Sequence, residues 1–276
     1  MQPQTIDRSR TSLLEIADVS LTFHAGTVNE KRALDRLSLR LEKGDFVTVI
    51  GGNGAGKSTL TNIITGVFQP DEGKITLAGE DITRQPEYRR ARHFGRVFQD
   101  PMMGTAPHME ICENLALAYR RDKRHGLRWE ISRGEKELYR KTLARLGLGL
   151  EERMHTKVGL LSGGQRQAIT LLMATLVRPK LLLLDEHTAA LDPKTAEKVL
   201  AITDQIVAEE QLTTLMITHN MHDAIAHGNR LIMMKDGHVI LNISGEEKKK
   251  LTVEDLLEKF NVASGEEFSN DRMILG

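Results

Sequence analysis

The run Phe46-Val47-Thr48-Val49-Ile50 feeds directly into Gly51-Gly52-Asn53-Gly54-Ala55-Gly56-Lys57-Ser58. The apolar, β-branched run reads as a strand buried on both faces, the kind found in parallel sheets covered by helices. Lys57 to Gly66 reads as the helix that follows. Strand, glycine loop and helix together make a phosphate-binding arrangement. Glycines let the backbone curl so that successive N–H groups point inward, and the helix adds its positive N-terminal end. Lys57 would neutralise the β- and γ-phosphates of ATP, and the Ser58 hydroxyl would ligate Mg²⁺. The candidate nucleotide ligands are therefore Gly51, Gly52, Asn53, Gly54, Ala55, Gly56, Lys57, Ser58 and Thr59.

The rest of the chain supplies a fold around that loop. Leu14 to Val19 and Leu37 to Leu41 alternate apolar and polar residues, as half-buried strands of an antiparallel layer do. Lys74 to Leu77, after Asp71-Glu72-Gly73, reads as another hairpin strand. From about Asp100 to Val177 strand signals fade, and helices are expected over 112–121, 135–146 and 165–177. Leu181 to Leu184 is a buried strand, Pro193 to Glu209 a helix opened by proline, and Thr213 to Thr218 a strand. That alternation implies parallel crossovers. Arg230 to Lys235 and His238 to Leu241, joined by Asp236-Gly237, read as a closing hairpin. A short helix is expected over Thr252 to Phe260, with a mobile end beyond it. The expected fold class is α/β, a P-loop NTPase core with an antiparallel β layer and an inserted helical lobe. All 276 residues are read as one domain: core about 13–99 and 178–243, helical lobe about 100–177, C-terminal extension 244–276.

Composition narrows the function. Lys plus Arg and Asp plus Glu are both 38, so the net charge is zero, and aromatic residues are 4% of the chain. Neither a broad positive field nor stacking platforms are available, which argues against a nucleic-acid partner. The single cysteine, Cys112, excludes an intrachain disulfide and fits a reducing compartment. Met1 to Ser12 carries no apolar run, so no secretory leader is expected. The apolar stretches flanking Arg178-Pro179-Lys180 are too short to span a bilayer. A soluble chain is expected; at a membrane, other chains would supply the spanning helices.

Two further segments carry chemistry. Leu181-Leu182-Leu183-Leu184 runs into Asp185-Glu186, two carboxylates at the end of a buried strand; taken alone, a strand reaching the surface explains them as well. Leu161-Ser162-Gly163-Gly164-Gln165 places a hydroxyl and small residues before a helix, which makes a second anion site. Taken alone it is also an ordinary helix cap.

In this order and spacing, the glycine loop, the Leu161–Gln165 segment and the Asp185-Glu186 strand end resemble the ATPase subunit of an ATP-binding-cassette (ABC) transporter, from about Leu13 to about Leu241. The resemblance assigns roles. Asp185 would hold Mg²⁺, and Glu186 would be the general base that polarises the attacking water. Gln99 would sense Mg²⁺ and link the core to the helical lobe. Ser162, Gly163, Gly164 and Gln165 would close on the nucleotide of a second subunit, making an ATP-dependent head-to-tail homodimer. Asp192, in Ala190-Leu191-Asp192-Pro193, would lie at the dimer seam, and His219 would contact the γ-phosphate. Phe23 matches an adenine-stacking aromatic, with core packing the open alternative. His187 departs from the pattern, since many members carry proline there.

The resemblance also implies partners. Transmembrane permease subunits would receive this chain on the inner face of the cell membrane, as a cytoplasmic peripheral subunit. A short permease helix would dock between core and helical lobe, along Gln99 to Glu110, with Met102 and Met103 as an adaptable apolar surface. The run Phe98 to Pro107, followed by Glu113 to Ala118, is similar to importer ATPases that accompany tryptophan/tyrosine-type substrate-binding proteins. The alternative is an ABC ATPase that moves no solute, as in iron–sulfur assembly or cell division. The basic segment Arg120 to Arg128 reads either as a solvated helix face or as a contact for anionic lipid or a partner's loop.

Overall fold

The computed structural model describes residues 12–121 and 130–264, in two compact units. The expectations for the N-terminal segment, for residues 122–128 of the basic segment and for the C-terminal end fall outside the described residues.

The first unit is built from residues up to Arg90 and from His219 onward. Its strands are β1 (Ser12–Phe23), β2 (Lys31–Glu42), β3 (Phe46–Ile50), β4 (Glu72–Leu77), β5 (Glu80–Asp81), β9 (Arg230–Lys235) and β10 (His238–Ser244). Its helices are α1 (Lys57–Thr65), α2 (Glu87–Arg90), α7 (Met221–Ala226), α8 (Gly245–Lys249) and α9 (Val253–Ser264). An antiparallel sheet runs in the order β2-β1-β4-β5. Strand β3, buried at every residue, lies parallel to β9, which forms a hairpin with β10. The turn of that hairpin is Asp236-Gly237, both with positive φ (48° and 78°), the backbone that a two-residue turn between twisted strands requires. The C-terminal segment belongs to the core: Leu256 and Phe260 of α9 pack with Ile50, Met221, Leu231, Met233 and Ile243.

The second unit, Ala91–Thr218, contains β6 (Phe94–Val97), β7 (Leu181–Asp185) and β8 (Thr214–Ile217), with α3 (Ile111–Tyr119), α4 (Arg133–Ala144), α5 (Gly163–Thr175) and α6 (Pro193–Glu210). The strands are parallel, with β7 paired to β6 on one side and β8 on the other. Leu181 to Leu184 and all of β8 are buried, as the unbroken apolar runs imply. Among the described residues, the regular elements between β6 and β7 are helices. Gly95 lets α5 come close: a Cβ there would stand 2.4 Å from the Ala174 carbonyl oxygen. The first two cations of the basic segment are used internally. Arg120 grips both oxygens of Glu135, at 3.0 and 3.2 Å, and Arg121 donates to the Phe94 carbonyl at 3.0 Å.

The helix behind the glycine loop is closed by one side chain. The last carbonyls of a helix lack intrahelical donors. Arg90, fully buried, donates from Nη1 to Ile63 and Ile64 (2.7 and 3.0 Å), from Nη2 to Thr83 (2.9 Å) and from Nε to Gln85 (2.8 Å). Burial pulls its pKa down to about 10, still well above neutrality. Replacing it leaves four carbonyls without this donor, those of Ile63, Ile64 and Thr83 in buried bonds. Arg90→Ala is expected to cost about 2–4 kcal/mol, read as a lowered melting temperature. Arg90→Lys should recover less than half, because an ammonium cannot fork to four acceptors. An Arg90→Ala protein melting within about 1 °C of wild type would contradict this role.

Candidate functional site

The loop leaves β3 at Gly51 and enters α1 through glycines in the left-handed region, with φ 82° at Gly54 and 100° at Gly56. Space as well as backbone angle forbids a side chain. A Cβ on Gly51 would lie 2.3 Å from the Met234 carbonyl oxygen, and one on Gly56 would lie 2.7 Å from that of Ala33. Ala55 pins the tip: its amide donates to Gly52 (3.2 Å) and its carbonyl accepts from Gly237 (3.1 Å). The β9–β10 turn thus braces the loop from behind. The Lys57 ammonium is buried and donates to the carbonyls of Gly51 (2.7 Å) and Gly52 (3.2 Å). Asn53, Gly54 and Ser58 are exposed and Thr59 is half-buried. This cradle has the form that backbone recognition of phosphates needs.

Sequence reading missed one cation here. Lys31, at the start of β2, brings its ammonium to 3.3 Å from the place a Gly54 Cβ would occupy. Its position follows from the β1–β2 register, which no local motif signals. The Phe23 ring, at the end of β1, stands edge-on to Phe68 with centroids 5.2 Å apart. His219 is exposed and precedes Asn220, whose side chain caps α7 by accepting from the Asp223 amide. Burial pushes the Asp223 carboxyl up, and the imidazoles of His227, His219 and His222 act against that.

The second unit holds the other candidates. Asp185 ends β7 and accepts from Arg96 Nη2 at 3.3 Å; both side chains are 17% exposed. The Arg96 guanidinium also covers the Phe98 ring, 4.6 Å from its centroid. Glu186 takes a left-handed backbone, φ 47°, unusual for glutamate. Its amide donates to Ile217 and its carbonyl accepts from Ala189, both at 3.0 Å, so the turn is held on each side. His187 is buried, with Nε2 3.2 Å from Thr203 Oγ1. That hydroxyl donates to the Val199 carbonyl (2.8 Å), which leaves it to accept from the imidazole N–H. The residue standing where many family members carry proline is therefore tied to α6 by its side chain.

Gln99 is exposed. The preceding residue is held by Gln167, a buried side chain of α5 whose Nε2 donates to the Phe98 carbonyl at 3.0 Å. Gln167 is not among the candidates that the sequence singles out. Its burial was the missing signal. Ser162 caps α5: Oγ accepts from the Gln165 amide (3.3 Å), and Gln165 Oε1 accepts from the Ser162 amide (3.2 Å). This capping box leaves Ser162 and Gly163 exposed at the positive end of a 13-residue helix. Asp192 caps α6 by accepting from the Thr195 amide at 3.1 Å. The Thr195 hydroxyl and amide hold its carboxyl below the usual carboxylate range. The two helix starts touch: a Cβ on Gly164 would lie 2.1 Å from Thr195 Cγ2.

A braced glycine cradle behind a buried strand, and a buried parallel strand ending in Asp-Glu, define a phosphate-loop ATPase. The chain belongs to the ABC transporter family, which it matches over residues 34–189. It is an ATP-binding and ATP-hydrolysing subunit of that family. It is 45% identical over 251 residues to a tyrosine transport ATP-binding protein of Clostridioides difficile, across 91% of this chain and 100% of that one. It is 37% identical to the spermidine/putrescine import ATP-binding protein PotA of Protochlamydia amoebophila, across 74% of this chain and 52% of that protein. Among solved structures, a dimeric ATP-binding cassette in a post-hydrolysis state bound to ADP and Pi superposes with TM-score 0.72 at 28% identity, covering 84% of this chain and 98% of that one. The fold is also that of cbiO1 of Clostridium perfringens, TM-score 0.74 at 24% identity, covering 91% of this chain and 95% of that one. Among the described residues no helix is long and apolar enough to cross a membrane.

The Gly164–Thr195 contact yields a double-mutant test. A methyl at residue 164 forces Thr195 to rotate, which pulls its hydroxyl from Asp192. Gly164→Ala is expected to destabilise by about 1–3 kcal/mol in urea denaturation. Adding Thr195→Ser removes the obstructing methyl and should restore most of the loss. Additive losses in the double variant would show that the two residues do not meet as described.

Proposed function

We propose that this chain is the ATPase subunit of an importer and works as an ATP-dependent head-to-tail homodimer under separate transmembrane permease subunits. The observation that carries the dimer is the exposed, capped start of α5. ATP has one γ-phosphate, and the Lys57 loop already provides for it. A second anion-type site in the same chain is accounted for if Ser162, Gly163 and Gly164 serve the nucleotide of a second copy. The likeness to a dimeric cassette supports this.

Each residue then has a role toward ATP. Amides of Gly51 to Thr59 and the Lys57 ammonium take the phosphates, and Phe23 stacks on adenine. Ser58, Gln99 and Asp185 are oxygen donors suited to Mg²⁺, which supplies positive charge against the β- and γ-oxygens. Glu186 accepts the proton of the attacking water while the γ-phosphoryl leaves ADP, and His219 orients that water. Asp192 sits at the seam, and Gln165 supports the Ser162 hydroxyl. The γ-phosphoryl passes directly to the water oxygen, giving ADP and inorganic phosphate, with no covalent enzyme adduct.

The docking surface for the permease is assigned to the segment after Gln99, as part of a helical lobe spanning about 100–177. Met103 is 68% exposed there. The segment is fixed to α5 by Arg166, whose Nη1 lies 2.9 Å from Met102 Sδ, and by Gly104 against Thr170. A push on Met102 or Met103 is thereby passed to the helix that starts at Ser162. The chain would be held on the inner face of the membrane by this contact, and an extracytoplasmic binding protein would deliver solute to the permease. The full-length likeness to a tyrosine transport protein supports an aromatic amino acid as the solute class.

Glu186→Gln tests the catalytic half. Turnover should fall by about 10²–10⁴-fold, roughly 3–5 kcal/mol of barrier, while ATP binding persists. With ATP and Mg²⁺ this variant should run as a dimer in size-exclusion chromatography, and adding Ser162→Arg should return it to monomer. Turnover within about threefold of wild type would remove Glu186 as the base. A dimer indifferent to ATP would remove the nucleotide from the interface.

A further inference from the structure

Away from the residues assigned to ATP, three donors of different chemistry converge at the start of α3. Glu110 Oε2 lies 2.7 Å from His155 Nδ1 and 3.3 Å from Cys112 Sγ. All three ligand atoms lie within 4.8 Å of one another, and no other three such side chains do so among the described residues. We propose that Glu110, Cys112 and His155 form a binding site for a borderline-soft divalent metal ion of the zinc class.

The backbone sets this convergence before any ion arrives. The Cys112 amide donates to Met154 and the Ile111 amide to Thr156, both at 3.0 Å. Glu110 faces Lys157 across an antiparallel bridge, and the Val158 amide donates to Met109 at 3.0 Å. Residues 154–158 are thus laced to residues 109–112, and His155 is carried opposite the other two. A carboxylate–imidazole pair alone would explain Glu110 and His155 as a surface ion pair. It does not explain a buried thiol aimed at the same carboxylate oxygen.

The donor set selects the ion. One sulfur, one imidazole nitrogen and one carboxylate oxygen, with water as the fourth ligand, match the tetrahedral habit of Zn²⁺. Mg²⁺ prefers six oxygen ligands and is excluded by the same set. Metal–ligand bonds of about 2.0–2.3 Å place ligand atoms roughly 3.3–3.8 Å apart in a tetrahedron. The Glu110–His155 pair must therefore open slightly, and the His155 side chain, 69% exposed, has room to do so. On binding, the Cys112 S–H proton passes to buffer. The thiolate and the Glu110 carboxylate then balance the two positive charges, and His155 binds as neutral imidazole. Burial and the Glu110 carboxylate push the thiol up to about 11, so displacing that proton lowers the affinity below that of an open thiolate site. A bound ion would clamp the first turn of α3 to the strap that continues, through the turn Val158–Leu160, into Leu161 and Ser162.

The test uses the tag-free full chain without nucleotide, titrated with Co²⁺. Cys112 is the sole cysteine, so a sulfur-to-cobalt charge-transfer band reports this site alone. One equivalent should bind with that band. Zn²⁺ should displace it and excess Mg²⁺ should not. His155→Ala, at an exposed position, should keep the wild-type melting temperature and weaken Co²⁺ binding by more than about tenfold. Absence of the band from wild type, or unchanged affinity in His155→Ala, overturns the proposal.

Discussion

A triphosphate must be gripped by backbone amides at close range, and side chains must be kept out of the way. That constraint organises the first unit. Gly51 and Gly56 are packed so closely against the carbonyls of Met234 and Ala33 that neither position has room for a methyl. The loop is therefore braced by β2 on one side and by the β9–β10 turn on the other, with Gly237 bonded to Ala55. Strand β3 delivers the chain to that bracing, and Arg90 closes the helix that leaves it. Much of the surrounding β structure is scaffolding for a loop whose own side chains fix it only through Lys57, bonded to Gly51 and Gly52.

The second unit solves a different problem: it ties polar groups to one another. Arg96 joins Asp185 to the ring of Phe98, and Gln167 of α5 holds the Phe98 carbonyl. Thr195 of α6 lies against Gly164, and Arg166 reaches the exposed Met102. The Asp185 strand end, the segment before Gln99, the Ser162 helix start and the proposed docking segment thus form one connected set within a single unit. A displacement of Met102 has a physical route to Ser162 that runs through packed side chains and hydrogen bonds.

Much of this was legible in the sequence because periodicity and turn chemistry are local. The buried runs of β3 and β7, the Asp236-Gly237 hairpin and the Pro193 helix lie close to where their residues predict. Strand β6 was not, since Phe-Gly-Arg-Val carries no apolar run and is a strand because β7 pairs with it. Helix α7 is too short to show a period. The charged C-terminal extension hid Leu256 and Phe260, which fill the first unit's core. Among candidate residues, Lys57 and Ser162 announced themselves by motif. Lys31, Arg96, Arg90 and Gln167 did not, because their roles depend on tertiary neighbours rather than on sequence spacing.

The central claim is that Gly51 to Ser58 holds the phosphates of ATP. Calorimetric titration of Lys57→Ala with Mg·ATP, beside wild type, tests it most directly. The variant is expected to melt within a few degrees of wild type without nucleotide, because neighbouring amides still brace the loop. Its affinity for ATP should fall by more than about tenfold, the loss of one charge-assisted phosphate contact at roughly 1.5–3 kcal/mol. A folded Lys57→Ala protein that binds ATP as tightly as wild type would place the phosphates elsewhere and contradict the account.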